Sequence, residues 1–171
     1  MMPPLLNGIR VINMIDFMVL ALPRSGTAWV SNLLTTDTSL CIHESAMDYH
    51  TTDLDAMEYN GTLGIAETSA FIRVDELNLH SAKKLIIDRP FDEINKSIAE
   101  LGFKAMPSYS ADLMIQLKGY RIAYKDLFNY EIMSEAYYYL LRKELNQERH
   151  KMLCQMNIQN TAAIERVRGI V

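Results

Sequence analysis

The sequence predicts a three-layer α/β domain with a mostly parallel central sheet flanked by helices. Short apolar runs alternate along the chain with segments of helical periodicity, which is the pattern of a parallel sheet with crossover helices. The chain has 171 residues, of which 49% are hydrophobic and 22% are charged, and this length suits one globular domain. We therefore expect a single domain over residues 1–171, with a core at about 17–145 and a helical C-terminal segment at about 146–171.

Five segments are predicted to be strands. Phe17–Leu22 is a continuous apolar run, as expected of a strand that is buried on both faces of a parallel sheet. Lys84–Asp88 is similar and ends before Arg89 and Pro90. The remaining candidate strands are residues 39–42, 62–65 and 121–124.

Segments with helical spacing separate these strands. Val30, Leu33 and Leu34 share one face of a predicted helix over residues 27–34. Further helices are predicted over residues 91–101, 113–117 and 149–156, and from residue 131 onward. Residues 46–60 lack periodicity and are predicted to form a surface loop or an irregular helix.

Charge and composition exclude several classes of function. Seventeen basic against 21 acidic residues give a net charge of −4, which leaves no basic surplus for non-specific nucleic-acid binding. No apolar stretch approaches the roughly 20 residues that cross a bilayer, and Asp16 interrupts the run after Arg10. The two cysteines, Cys41 and Cys154, are too few for a disulfide scaffold, which favours a cytoplasmic protein. We expect no nucleic-acid and no membrane partner, and homo-oligomerisation stays open.

The turn between the first strand and the first helix is a candidate anion site. A tight turn with a glycine that enters a helix directs backbone N–H groups and the positive end of the helix dipole at one point. The turn reads PRSGTAW over Pro23–Trp29 and lacks the Gly-Lys pair of the GxxxxGK[ST] loop. Magnesium-dependent triphosphate chemistry is therefore disfavoured. A turn that binds no ligand is the alternative.

Pro23–Trp29 resembles the 5′-phosphosulfate loop of the sulfotransferase family, whose usual form is P-[KR]-[ST]-G-[ST]-[ST]-x. The resemblance implies a P-loop-type domain that uses 3′-phosphoadenosine 5′-phosphosulfate (PAPS) and releases 3′,5′-bisphosphoadenosine (PAP). It implies sulfuryl transfer to a hydroxyl or amine of a small-molecule or glycan acceptor. The residues that would hold the 5′-phosphate are Arg24, Ser25, Gly26, Thr27 and Ala28, with Ala28 where many members have a second hydroxyl.

Later segments extend the resemblance, which covers about residues 17–145. Family members hold the 3′-phosphate with an Arg and a Ser eight positions apart after a later strand, and Arg89 and Ser97 have this spacing. Tyr124 begins a Tyr-Lys-Asp-Leu sequence similar to the family's Y-E-D-L, whose Tyr lies against the adenine. Trp29 is similar to the aromatic residue that stacks on the adenine in cytosolic members. Core packing is the alternative for Trp29. A surface charge that flanks the helix is the alternative for Arg89, and an exposed helix residue is the alternative for Ser97.

Sulfuryl transfer needs a base for the acceptor's proton and a cation for the leaving group. The resemblance implies that Arg24 balances charge on the departing bisphosphate. His43 and Glu44 end the second strand, where parallel α/β sheets bind ligands and where some family branches have a Glu. We take Glu44, mostly ionised at neutral pH, as the first candidate base, His43 as the second, and Glu67 with Thr68 as the reserve. A solvated carboxylate and a packed imidazole are the alternatives.

The remaining chemistry-bearing residues have simpler interpretations. His50, His80 and His150 lie at no motif and are predicted at the surface. Three consecutive tyrosines, Tyr137–Tyr139, face three directions on a helix and are predicted to pack and to cover the helix surface, with a platform for the acceptor as the alternative. The tail at residues 165–169 is faintly similar to the family's third cofactor segment, with a frayed terminus as the alternative. No residue set has metal-ligand spacing, so we expect no metal.

Two other functions compete with a small sulfotransferase. The first is a catalytically silent nucleotide-binding or assembly protein with the same fold, which the short chain favours somewhat. The second is a small nucleotide kinase with a degenerate loop, which the missing Gly-Lys pair disfavours. Binding of PAP compared with ATP and magnesium separates the kinase from the other two.

Overall fold

The computed structural model describes residues 15–45 and 59–158, and its centre is a five-stranded, all-parallel sheet. The strand order is β2-β3-β1-β4-β5. The strands are β1 (Phe17–Ala21), β2 (Ser39–His43), β3 (Thr62–Glu67), β4 (Lys83–Asp88) and β5 (Tyr120–Ala123).

Helices connect and follow these strands. They are α1 (Thr27–Leu34), α2 (Val74–Leu79), α3 (Phe91–Glu100), α4 (Tyr109–Ile115), α5 (Tyr130–Leu141) and α6 (Gln147–Cys154), with 3-10 helices at Ala70–Arg73 and Tyr124–Phe128. None of the helices in the described part of the chain is long and apolar enough to cross a membrane.

β1 explains why both faces of the sheet are covered. All five of its residues are buried, and successive side chains of a strand point to opposite faces. Phe17, Val19 and Ala21 belong to a core cluster with residues of α1, α5 and α6. Met18 and Leu20 belong to a second cluster with residues of α2, α3 and α4. The predicted three layers, and the buried central strand within them, are therefore confirmed.

The predicted elements are confirmed with changes at their ends. β3 extends to Glu67, two residues beyond the prediction, and Tyr124 begins a 3-10 helix where we predicted the end of β5. The predicted helix over residues 113–117 begins earlier, at Tyr109, and ends at Ile115. α2 was not predicted. Its six residues have only two buried apolar positions, Val74 and Leu77, which are too few to show a helical period in the sequence. In the predicted helical C-terminal segment, the described residues 146–158 are helical over Gln147–Cys154. Residues 46–58 and the tail at 165–169 lie outside the described residues.

The topology favours one edge of the sheet as the place for a ligand site. α1, which follows β1, packs on one face, whereas α2 and α3, which follow the neighbouring strands β3 and β4, pack on the other. In parallel α/β sheets a crevice opens at the carboxyl ends of strands whose following helices diverge in this way. This rule predicts a crevice at the carboxyl end of β1, where the PRSGTAW loop begins.

Candidate functional site

The loop between β1 and α1 has a special backbone conformation. Arg24 has φ of 66° and Gly26 has φ of 84°, so both lie in the left-handed region. A Cβ atom on Gly26 would lie 2.6 Å from Leu127 Cδ1 and 3.3 Å from the Tyr124 ring. Glycine is therefore required here both by its φ angle and by the close approach of the 3-10 helix.

The start of α1 has the features of an anion site. No side chain caps this helix, and the first N–H groups of a helix have no partner within it. Ser25 is wholly buried, and its Oγ has no hydrogen-bond partner among the described residues. A buried hydroxyl without a partner costs free energy unless a ligand or water completes its bonding. Both features fit an anion bound at the loop.

The structure brings the predicted residues that follow β4 and that lie in α3 to this loop. The Arg24 Nε–H donates to Ser97 Oγ over 3.1 Å. Arg89 donates from Nη1 to the carbonyl oxygen of Arg24, and its guanidinium lies 4.3 Å from the centre of the Tyr124 ring. Arg89 also forms an exposed ion pair with Glu93 at 3.3 Å. Arg89 therefore holds the loop in place, in addition to its predicted role as a phosphate ligand.

The two aromatic residues predicted to contact adenine are occupied by protein groups. Trp29 is only 5% exposed, and its indole N–H donates to the Leu153 carbonyl over 2.9 Å. Its ring makes edge contacts with Phe128 and His150. Core packing, the alternative for Trp29, is thus the interpretation that its contacts favour. Tyr124 has Arg89 on one side of its ring, which makes that side unavailable for stacking.

The remaining histidines and tyrosines have structural contacts. The prediction that His150 is at the surface is wrong: it is 4% exposed, and its Nε2 lies 3.0 Å from the Leu127 carbonyl oxygen. His80 is half-buried and accepts from the Ala82 N–H, and His50 lies outside the described residues. Within Tyr137–Tyr139, the first ring is buried, the second is exposed and the third stacks on Tyr120, as packing and helix surface predicted.

The candidate bases lie on the opposite side of the loop, at the ends of β2 and β3. Thr27 Oγ1 is 3.0 Å from His43 Nε2, and the same nitrogen is 3.6 Å from Glu44 Oε1. Thr68 donates hydrogen bonds to the Glu44 carboxylate from both its side chain and its backbone. The Ser45 hydroxyl donates to Glu67 Oε1. All the candidate bases thus lie at one edge of the sheet.

Burial sets the protonation of this side of the site. It raises the pKa of Glu44 to about 7, with the nearby Glu67 charge adding to the rise and the Thr68 hydrogen bonds opposing it. Glu44 is therefore about half protonated at pH 7, which corrects our expectation that it is mostly ionised. Burial also lowers the pKa of His43 to about 4, so the imidazole is neutral. The pKa of Cys41 is raised to about 12 by burial, which makes a thiolate nucleophile unfavourable.

Sequence reasoning missed the contacts between the candidate residues. The Thr27–His43 contact joins residues 16 positions apart, and the Arg89–Arg24 contact joins residues 65 positions apart. The sequence does predict that the carboxyl ends of the parallel strands lie at one edge of the sheet. This places the candidate residues near one another, but it does not say which side chains form hydrogen bonds. No group of His, Cys, Asp and Glu within the described residues could hold a metal ion.

No protein-family model matches the chain, and no curated protein is significantly similar to it in sequence. The resemblance to sulfotransferases therefore depends on the three short motifs and on their placement in the fold.

We predict that Glu44→Gln stabilises the protein at alkaline pH relative to wild type. A carboxyl whose folded pKa is raised contributes stability below pH 4.5, and this is lost as the pH rises through about 7. The difference in unfolding free energy between variant and wild type should grow by up to about 3 kcal/mol between acid and alkaline pH. Urea denaturation across this range measures it, with the exposed Glu100→Gln as control. If the unfolding free energies of wild type and Glu44→Gln changed in parallel with pH, the burial of the Glu44 carboxyl would be contradicted.

Proposed function

We propose that this chain is a small, P-loop-type sulfotransferase that uses PAPS as donor, forms PAP, and needs no catalytic metal. Its acceptor would be a hydroxyl or amine of a small molecule or glycan. The observation that carries the proposal is the contact of Arg24 with both Ser97 and Arg89 at the start of α1. Three residues from two separate motifs of the resemblance thus meet beside the start of α1.

The cationic side of the site suits a ligand with two phosphates. The N–H groups of α1, together with the Ser25 and Thr27 hydroxyls, would bind the 5′-phosphate, as the buried Ser25 Oγ supports. Arg89 and Ser97 would bind the 3′-phosphate. A guanidinium presents a planar fork of donors that matches phosphate oxygens, and Arg24 can serve the 5′-phosphate while it contacts Ser97.

The acidic side of the site would remove a proton from the acceptor. When bound, PAPS supplies the sulfuryl group, and the bond from sulfur to its phosphate oxygen breaks as the bond to the acceptor forms. Arg24 would balance the charge that develops on the leaving phosphate. Glu44, with a pKa of about 7, is ionised in half the molecules at neutral pH and can accept the acceptor's proton.

A silent nucleotide-binding or assembly protein is the second candidate. The occupied Tyr124 face and the buried Trp29 favour it, because they leave the adenine without its implied stacking partners. A thermal-shift comparison of PAP with ATP and magnesium tests both candidates against a kinase. Stabilisation by PAP only supports the sulfotransferase or the silent protein, whereas stabilisation by ATP with magnesium only supports the kinase. Turnover with a sulfur-labelled donor and mixed acceptors then separates the enzyme from the silent protein.

We expect Arg24→Ala to weaken PAP binding by about 1.5–3 kcal/mol, because a charge-assisted hydrogen bond is lost. Isothermal titration calorimetry measures the change. Lys118→Ala is the matched control, since it removes one positive charge from an exposed residue before β5, away from the site edge. If Arg24→Ala and wild type bound PAP with equal affinity, the loop would not be part of the binding site.

Arg89→Ala should reduce the preference for PAP over 5′-adenylate, because the 3′-phosphate distinguishes the two ligands. The affinity for 5′-adenylate should also fall, by a smaller factor, since Arg89 supports the Arg24 carbonyl. The ratio of the two dissociation constants is the readout, with Lys96→Ala on the exposed side of α3 as control. An unchanged ratio would mean that Arg89 only supports the loop.

Glu44→Gln should abolish turnover and preserve PAP binding, because it keeps the shape of the side chain and removes its basicity. A general base is typically worth about 10²–10⁴ in rate. In wild type, kcat/KM should rise with pH through about 7, as Glu44 ionises. If Glu44→Gln turned over normally, Glu44 would not be the base, and Glu67 would be the next residue to test.

A further inference from the structure

An apolar cavity of about 170 Å³ lies at the carboxyl end of β4, on the face of the sheet that α3 and α4 cover. Arg89, the proposed ligand of the 3′-phosphate, lines this cavity. The apolar side chains that line it follow β1 or belong to α3 and α4, and they are Leu22, Phe91, Ile94, Ala111, Met114 and Ile115.

Arg89 joins this cavity to the anion loop. Its guanidinium donates to the carbonyl oxygen of Arg24 and lies over the Tyr124 ring. Leu22, which forms another part of the cavity wall, directly precedes Pro23, the first residue of the loop. A ligand with one phosphate on the loop and another at Arg89 therefore has its remaining groups within reach of the cavity.

Arg121 of β5 fixes the wall that α4 contributes. It donates from Nη2 to the Met114 carbonyl over 2.7 Å and to the Leu117 carbonyl over 2.9 Å. It also donates from Nη1 to Asp88 Oδ1 over 2.6 Å, which ties the end of α4 to the end of β4. The cavity is therefore formed before a ligand binds, and this lowers the entropy that binding costs.

The size and lining of the cavity suit a planar ring system of low polarity. An apolar cavity of about 150 Å³ holds benzene, so this one has room for one ring of a purine. Phe91 supplies an aromatic side chain, and stacking on such side chains contributes to the binding of every nucleic-acid base. A phosphate or another charged group would lose its hydration in this cavity without compensation, which excludes it as the occupant.

We propose that this cavity binds the adenine of the donor nucleotide, whose 3′-phosphate lies at Arg89 and whose 5′-phosphate lies on the loop. The inference rests on the proposed function, and it changes the position of the base that the resemblance implies. On the other side of Arg89, the guanidinium covers the Tyr124 ring, and Trp29 is buried. The cavity gives the adenine the apolar contacts that these two residues do not offer.

Calorimetry with two ligands measures what the base contributes to binding. The methyl riboside 3,5-bisphosphate has both phosphates of PAP and lacks the adenine. Wild type should bind PAP about 5- to 150-fold more tightly than this riboside, as expected for one stacked base.

Ala111→Leu fills the cavity from α4 and should remove most of this difference, because it lowers the affinity for PAP alone. Ala99→Leu, the same change at an exposed position of α3, is the control and should keep the full difference. If Ala111→Leu kept the wild-type difference, the adenine would bind elsewhere and the inference would be overturned. Equal affinity of wild type for both ligands would also overturn it, but would leave the anion site of the proposed function standing. If neither ligand bound to wild type, the proposed function would fail as well.

A second measurement needs only wild type with isotope-labelled methyl groups, and it decides the question even if Ala111→Leu does not fold. In the complex with PAP, nuclear Overhauser effects should connect the adenine H2 and H8 protons with the methyl groups of Ile94 and Met114. Leu127 reports on the other side of the loop, since its Cδ1 lies beside Gly26 and Tyr124. Effects at Leu127 and none at Ile94 and Met114 would place the adenine on the side that the resemblance implies, and would overturn the inference.

Discussion

The central position of β1 is the constraint on which the rest of the site depends. β1 is wholly buried and pairs with β3 on one side and with β4 on the other. Because all three strands are parallel, the loop after β1 meets the ends of both neighbours at one edge. The side toward β4 contributes Arg89 and, through α3, Ser97. The side toward β3 and β2 contributes acidic groups, so the loop divides a cationic half of the site from an acidic half.

The fold could largely be predicted because its signal is local. The apolar run at residues 17–22 has no polar face, so only a strand covered on both sides suits it. The turn that follows and the helical spacing of Val30 and Leu33 are also short-range features. α2 escaped prediction because its six residues are too few to show a period, and Leu79 at its end is 88% exposed. The connection between β3 and β4, in which α2 lies, was therefore the segment for which the sequence predicted no helix.

The sequence predicts which residues of the candidate site lie near one another, but not the contacts between their atoms. The rule that strand ends share an edge brings Arg24, Glu44 and Arg89 together, but it does not say which atoms meet. Trp29 and His150 show the limit most clearly, because their burial depends on α6 returning to the loop more than 100 residues later. A sequence motif cannot show that the indole N–H of Trp29 already donates to the carbonyl oxygen of Leu153.

Backbone conformation gives the two halves of the site a common feature. Arg24 and Glu44 both have positive φ angles, 66° and 55°, in a region that side chains with a Cβ enter at a cost of about 1–3 kcal/mol. Each is held there by a contact from a neighbouring element: Arg89 binds the Arg24 carbonyl, and the Glu44 N–H donates to the Ala66 carbonyl over 2.8 Å. Strain of this kind persists where the surrounding structure fixes it, and it accumulates at functional sites. Its occurrence at the cationic residue and at the candidate base supports a site in which both groups are oriented before the ligand binds. Such preorganisation would lower the reorganisation needed in the proposed transfer reaction, because the charged groups would already face the reacting atoms.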